Sequence, residues 1–184
     1  MPSAELQLLL ATHRGSDAAA RTLWNTFSPG LLAFAEGMLR DRAAAEDVVQ
    51  EVFCRILECR RSRLAAVKDV QAWLVRLTRN AALSYGRAMS RRRRREQARP
   101  PLVGGRSGTD VALDQAIDRL HPEQREVVLM RHLAGLTFDG IAAALEENRH
   151  TVAGRYRRAV ERLRALLTDS SEIPAELLAE VRHV

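Results

Sequence analysis

Between Gln97 and Asp110 the chain loses its apolar rhythm and fills with Pro100, Pro101, Gly104, Gly105 and Gly108 among small polar residues. Such a stretch has no face to bury, and its Pro and Gly residues oppose a helix, so the sequence predicts a flexible linker over 97–110. On either side, apolar residues return at steps of three and four, the period of an amphipathic helix. A chain of 184 residues can hold one ordinary domain or two small ones, and the interruption decides for two. The expectation is an all-α protein: two small helical domains, 14–96 and 111–167, joined by a flexible linker. The second contains a helix-turn-helix, and an acidic tail follows at 168–184.

In the first block, Leu23, Trp24, Phe27, Leu31, Phe34, Ala35, Met38 and Leu39 form one stripe of a helix over about 17–39, with a bend expected at Pro29. A second helix, about 43–60, buries Val48, Val49, Val52, Phe53 and Ile56. Glu46, Asp47, Gln50 and Glu51 share its first turns, where acidic groups favour the positive helix end. Arg61 to Asp69 reads as a loop or a short helical turn. A third helix carries Val70, Trp73, Leu74, Leu77, Ala81 and Tyr85, presents Arg76, Arg79, Asn80 and Arg87 elsewhere, and runs into Arg91–Arg95. That basic run suits the negative pole of a helix and equally suits phosphates; Arg87 and Arg99 favour the second reading.

The net charge of +6 is carried almost wholly by Arg, since Lys68 is the single lysine. Arginine's planar fork matches phosphates and base edges, which raises the expectation of nucleic acid. Cys54 and Cys59 are five residues apart, a spacing that does not bring them onto one helical face, so free thiols in a reducing compartment are expected. The five histidines, His13, His121, His132, His150 and His183, show no metal-ligand spacing, and neither a phosphate-cradling Gly loop nor a nucleophile arrangement occurs. No enzyme and no cofactor is expected. The absence of a signal-like start and of a long apolar run predicts a cytoplasmic protein without a membrane span.

In the second block, Leu113, Ile117 and Leu120 precede a turn at His121-Pro122, and a helix follows with Val127, Val128, Met130, Arg131 and Leu133. Gly135 ends it, Thr137 caps a short helix with Phe138, Ile141, Ala142 and Leu145, and Asn148 caps a final helix over about 149–167. That last helix turns Val152, Tyr156, Ala159, Val160 and Leu163 inward and crowds its remaining surface with arginine. A short helix, a tight turn and a basic helix match a helix-turn-helix; the alternative is an ordinary surface helix of a bundle.

These motifs, in this order, resemble a bacterial RNA polymerase sigma factor of the extracytoplasmic-function group of the sigma-70 family, over about 17–167. Ala45-Glu46-Asp47-Val48-Val49-Gln50-Glu51-Val52-Phe53 is similar to the family helix that grips the clamp helices of the largest polymerase subunit. The resemblance makes Glu46, Asp47, Gln50 and Glu51 the core-polymerase contacts. Ala72-Trp73-Leu74-Val75-Arg76-Leu77-Thr78-Arg79-Asn80 is similar to the helix facing the −10 element, and the loop before it to the segment that receives a flipped base. By that match Ser62, Arg63, Lys68, Arg76, Arg79 and Asn80 serve the −10 element and melting, with Arg87, Arg91, Arg92 and Arg93 on phosphates. Trp73 reads as either a DNA contact or a core aromatic, its place beside Leu77 favouring the core.

The segments 136–142 and 151–159 resemble the element that reads the −35 box. Arg149, His150, Thr151, Ala153 and Gly154 then lie near base edges, and Arg155, Arg157 and Arg158 near phosphates. An anti-sigma protein is the further partner the family implies, beside core polymerase and promoter DNA. The competing reading is a stand-alone helix-turn-helix regulator, which leaves Glu46 to Glu51 without a task. The acidic tail docks elsewhere or shields the basic helix.

The chain departs from the family pattern at Ser84 and Gly140, where acidic residues are usual, at Glu146, where glycine is usual, and at Glu147, where an aliphatic is usual. Gly140 costs about 1 kcal/mol of helix propensity relative to Ala. Glu146 falls where the turn wants a positive φ, at a cost of roughly 1–2 kcal/mol for a residue with a side chain.

Overall fold

The computed structural model describes residues 3–95 and 110–167, and among them it contains helices and no strand. In order these are α1 (Ala4–His13), α2 (Asp17–Leu39), α3 (Arg42–Glu58), α4 (Arg61–Ala65), α5 (Val70–Arg95), α6 (Asp110–Asp118), α7 (Pro122–His132), α8 (Phe138–Leu145) and α9 (Arg149–Leu167). The expected linker and acidic tail lie outside the described residues, apart from Asp110, which opens α6.

The first domain is larger than the periodicity suggested, because α1 belongs to it. Ser3 caps α1 by accepting from Leu6 N–H at 3.1 Å, Leu9 is fully buried, and His13 Nδ1 lies 3.1 Å from Ile56 O at the end of α3. Glu5, Gln7, Thr12 and His13 are spread around α1 among its apolar residues, so no contrast between faces announced it. The core gathers Leu23, Phe34, Val49, Val52, Ile56, Leu64 and Leu74, all fully buried, and each large apolar side chain contributes about 1.5–3 kcal/mol by leaving water. α2 continues unbroken through Pro29.

Two expectations for this domain change. α3 begins at Arg42 behind the Asp41 cap, which accepts from Ala44 N–H at 3.0 Å, and has no acidic residue in its first turn. Glu46 and Asp47 therefore sit beyond the reach of the helix end. On α5 the fully buried side is Val70, Leu74, Val75 and Thr78, while Trp73 and Leu77 are only partly covered. Thr78 stays satisfied inside by donating to Leu74 O at 3.0 Å.

In the second domain the local signals are met closely. Thr137 Oγ1 accepts from Gly140 N–H at 3.0 Å. Asn148 Oδ1 accepts from His150 N–H at 2.8 Å at the start of α9. Gly135 has φ +69 and ends the run after α7. Tyr156 is fully buried, sits edge-on to Phe138 with centroids 5.2 Å apart, and shares a 2.9 Å hydrogen bond with His132. Glu146 adopts φ 57, and its N–H and that of Glu147 both bond to Ala142 O, closing α8. The left-handed turn is thus made by a glutamate, and its backbone cost is accepted.

The structure adds the relation of the two domains, which the sequence left open. They pack against each other, α7 on α2 and α8 on α5. Gly30 and Gly37 of α2 permit this approach: a Cβ at Gly37 would stand 3.0 Å from Leu129 Cδ2 and from Leu133 Cδ1, and one at Gly30 would stand 3.3 Å from Leu133 O.

Candidate nucleic-acid interface

α3 presents Glu46, Asp47, Gln50 and Glu51 on one exposed face, opposite buried Val48, Val49 and Val52. Two of the four are held on the helix itself, Glu46 by Arg42 at 3.1 Å and Glu51 by Arg55 at 2.5 Å. These are exposed i,i+4 pairs of small worth, easily exchanged for a partner's cations. Leu57, more than half exposed, extends the same helix toward solvent.

The second group lies around an open cleft of about 780 Å³ between α3, the α4–α5 loop, α5 and the end of α8. Arg63, Lys68, Arg76 and Asn80 line it together with Asp69 and Trp73, so these predicted residues do converge. Trp73 lines the cleft and also packs against the core from a half-buried position. Ser62 is exposed on α4 and is not among the lining residues. Asp69 caps α5 by accepting from Ala72 N–H at 2.8 Å, which orients the first turn of the helix. Arg87 is exposed and donates to Ser84 Oγ at 3.3 Å; Arg91 and Arg92 are exposed at the far end of α5. Arg93 belongs to α5, but its side chain lies outside the described residues.

The second domain covers part of this group. Arg76 is paired with Glu146. Arg79 grips Glu126 in a two-pronged bond, Nε to Oε1 at 2.5 Å and Nη2 to Oε2 at 3.0 Å, and only 12% of the Glu126 side chain is exposed. Gln71 donates to Ala134 O at 2.7 Å. At the other edge Arg40 donates to Asp118 at 2.5 Å and to Asp114 O at 3.2 Å. Arg125 donates to Gly37 O and lies 3.4 Å from Asp118; burial pulls its guanidinium below the ordinary arginine value, and Asp118 opposes that. No local pattern marks Arg40, Gln71, Asp114, Asp118, Arg125 or Glu126, because each finds its partner on the other domain.

On α9, Arg149, His150, Thr151, Arg157 and Arg158 are exposed, and Ala153 and Gly154 are half-buried beside them. Arg149 lies 3.3 Å from Asp139 in an exposed pair. Arg155 is turned inward, 17% exposed, between Glu147 at 2.6 Å and Glu123 at 3.2 Å. The hydrogen bond to Glu147 raises its pKa above the ordinary arginine value. Glu147, charged where the family pattern is apolar, thus has a partner, and the two together brace the turn before α9.

Fold and faces define an all-helical protein of two domains, the second a basic helix-turn-helix. Residues 23–96 match the family model of sigma-70 region 2, and residues 110–163 match that of sigma-70 region 4. The chain is 28% identical to the RNA polymerase sigma factor CarQ of Myxococcus xanthus over 160 residues, 83% of this chain and 91% of CarQ. It is 26% identical over 178 residues to the ECF RNA polymerase sigma factor BldN of Streptomyces coelicolor, 90% of this chain and 67% of BldN. Its fold is similar to that of CnrH in complex with the cytosolic domain of CnrY, with a TM-score of 0.68 at 21% identity over 92% of this chain and 100% of that one. It is also similar to RpoE of Bartonella quintana in complex with the anti-sigma factor NepR, with a TM-score of 0.62 at 24% identity over 82% of this chain and 97% of that one. The chain belongs to the sigma-70 family of RNA polymerase sigma factors, in its extracytoplasmic-function group. Among the described residues no helix is long and apolar enough to cross a membrane.

Proposed function

We propose that this sigma factor joins core RNA polymerase in the cytoplasm through the outer face of α3, reads the −10 and −35 elements with its two domains and assists melting. The observation that carries the reading is the α3 face. Glu46, Asp47, Gln50 and Glu51 stand exposed together, and Asp47 and Gln50 make no side-chain bond among the described residues. A helix face paired only within its own helix, acidic on a basic protein, suits a basic surface on a large partner.

The −10 element falls to the cleft and α5. Trp73 offers a ring face and Asn80 a two-sided amide to a base already out of the duplex, while Arg63, Lys68 and Arg76 supply charge for the backbone. Binding a base out of the stack draws the melting equilibrium forward without nucleotide hydrolysis. The −35 element falls to α9. Its exposed first turn, Arg149 to Thr151, reaches base edges in the major groove, and Arg157 and Arg158 reach phosphates. Arg155 supports this helix from inside through Glu147 and Glu123. An anti-sigma protein is a further expected partner, in keeping with the complex of RpoE with NepR.

The test is the affinity of the full chain for promoter-free core polymerase, beside a variant with Asp47, Gln50 and Glu51 changed to Ala. Tight binding lost in the variant supports the reading. No binding by the intact chain leaves a stand-alone DNA-binding regulator as the better account.

A further inference from the structure

We infer that Arg155, Glu147 and Glu123 form a positioning device for α9: one inward guanidinium ties the helix to the turn before it and to α7, and so sets how Arg149, His150 and Thr151 meet the bases of the −35 element. The inference rests on the proposed DNA-reading role of α9. It makes Arg155 and Glu147 determinants of base selectivity that touch no DNA.

Helical spacing puts Arg155 on a stripe of α9 with Thr151 and Arg158, four residues before it and three after, and both of those are exposed. Its side chain instead turns inward. Nη1 donates to Glu147 Oε2 at 2.6 Å, and Nε lies 3.2 Å from Glu123 Oε2. One cation between two carboxylates leaves the cluster net negative, which repels a phosphate rather than seating one. Arg155 therefore serves the helix and not the DNA backbone, while Arg157 and Arg158 remain exposed for that contact.

The anchors lie where they can fix the reading end of the helix. Glu147 stands between the left-handed Glu146 and the cap Asn148, and its own N–H bonds to Ala142 O at 3.0 Å, so α8 holds its backbone. Asn148 Oδ1 accepts from His150 N–H, joining the same turn to the start of α9. Arg155 completes a ring through side chains, from the turn along α9 and back to Glu147, and Glu123 attaches that ring to the first turn of α7. Buried Val152 and Tyr156 hold α9 on the domain, but apolar contact is non-directional. The charge-assisted bonds have direction, and they fix the rotation and the height of the helix. Base edges are read by donors that tolerate about 0.5 Å of misplacement, so loss of that direction falls on selectivity. Glu147, where the family pattern is aliphatic, gives this chain a polar form of the anchor.

The test uses the full chain assembled with core polymerase. A duplex is enriched by the wild type from a random pool, and its affinity is compared, across a salt series, with that of the same duplex carrying a scrambled upstream box. Arg155→Leu should lower the ratio of the two affinities about tenfold, the cost of one poorly read base pair, while affinity for the scrambled duplex and the salt slope stay at wild-type values. Exchanging the charges, Glu147→Arg with Arg155→Glu, should recover at least threefold of that ratio, roughly what return of one charge-assisted bond allows; a carboxylate there could not serve a phosphate. Weakening of both duplexes alike, with a slope smaller by about 1, would make Arg155 a phosphate contact and overturn the inference. An unchanged ratio, or no recovery on exchange, would overturn it too. Should Arg155→Leu fail to fold, Glu147→Gln, which removes only a charge, is judged by the same ratio and slope. A wild-type complex that enriches no upstream box would remove the −35 reading itself, a failure distinct from an enriched box that the variants read as well as the wild type.

Discussion

The outer faces of α3 and α5 belong to one domain and look alike in sequence, each a polar strip on an amphipathic helix, yet they differ in tertiary setting. The α3 face meets only its own helix, through pairs of the Arg42–Glu46 kind. The α5 face meets the other domain, through Arg76, Arg79 and Gln71. A face satisfied from within its own helix is available to a partner at little cost, whereas a face satisfied by another domain must first be released. One surface therefore stands open, and the other is covered by the second domain.

Predictions follow from that contrast in decreasing order of size. Changing Asp47, Gln50 and Glu51 to Ala should weaken core polymerase binding by about 100-fold if these groups act as interface hot spots, with the melting temperature unmoved, because all three are exposed; a competition titration with calorimetry checks both. Arg157→Ala with Arg158→Ala should weaken binding of duplex promoter DNA by about tenfold and lower the salt slope by about 2, as loss of two phosphate contacts requires. An unchanged slope in a salt series would return those arginines to plain solubility roles.

Glu147→Ala should destabilise the protein by about 1 kcal/mol, the worth of one charge-assisted bond to an inward arginine, read as a lower urea midpoint. An unchanged midpoint would show that Glu123 alone suffices for Arg155. Glu146→Gly should leave stability within about 1 kcal/mol, since relief of the left-handed backbone works against loss of the exposed pair with Arg76. The urea midpoint is again the check.

Local chemistry made much of the fold legible. The caps at Thr137 and Asn148, the break at Gly135 and the helix start at Pro122 each act within a few residues, and each is found where the sequence places it. The polar residues of α3 were legible for the same reason: a period of 3.6 separates Glu46, Asp47, Gln50 and Glu51 from Val48, Val49 and Val52. Arg155 was legible as a basic residue of α9, but its inward turn was not, since that depends on Glu123 from α7. α1 escaped notice because its polar residues, Glu5, Gln7, Thr12 and His13, are spread around the helix and offer no periodic contrast.

By itself the sequence determined the all-helical class, the two domains, the helix-turn-helix and the family, because periodicity, capping and motif order are properties of neighbouring residues. Only the tertiary structure decided which polar face is free. Whether Arg76 and Arg79 face solvent or carboxylate depends on Glu126 and Glu146, 47 and 70 residues further along the chain. Pairing at that separation follows from two packed surfaces meeting, with Gly30 and Gly37 setting how closely, and no local rule encodes it.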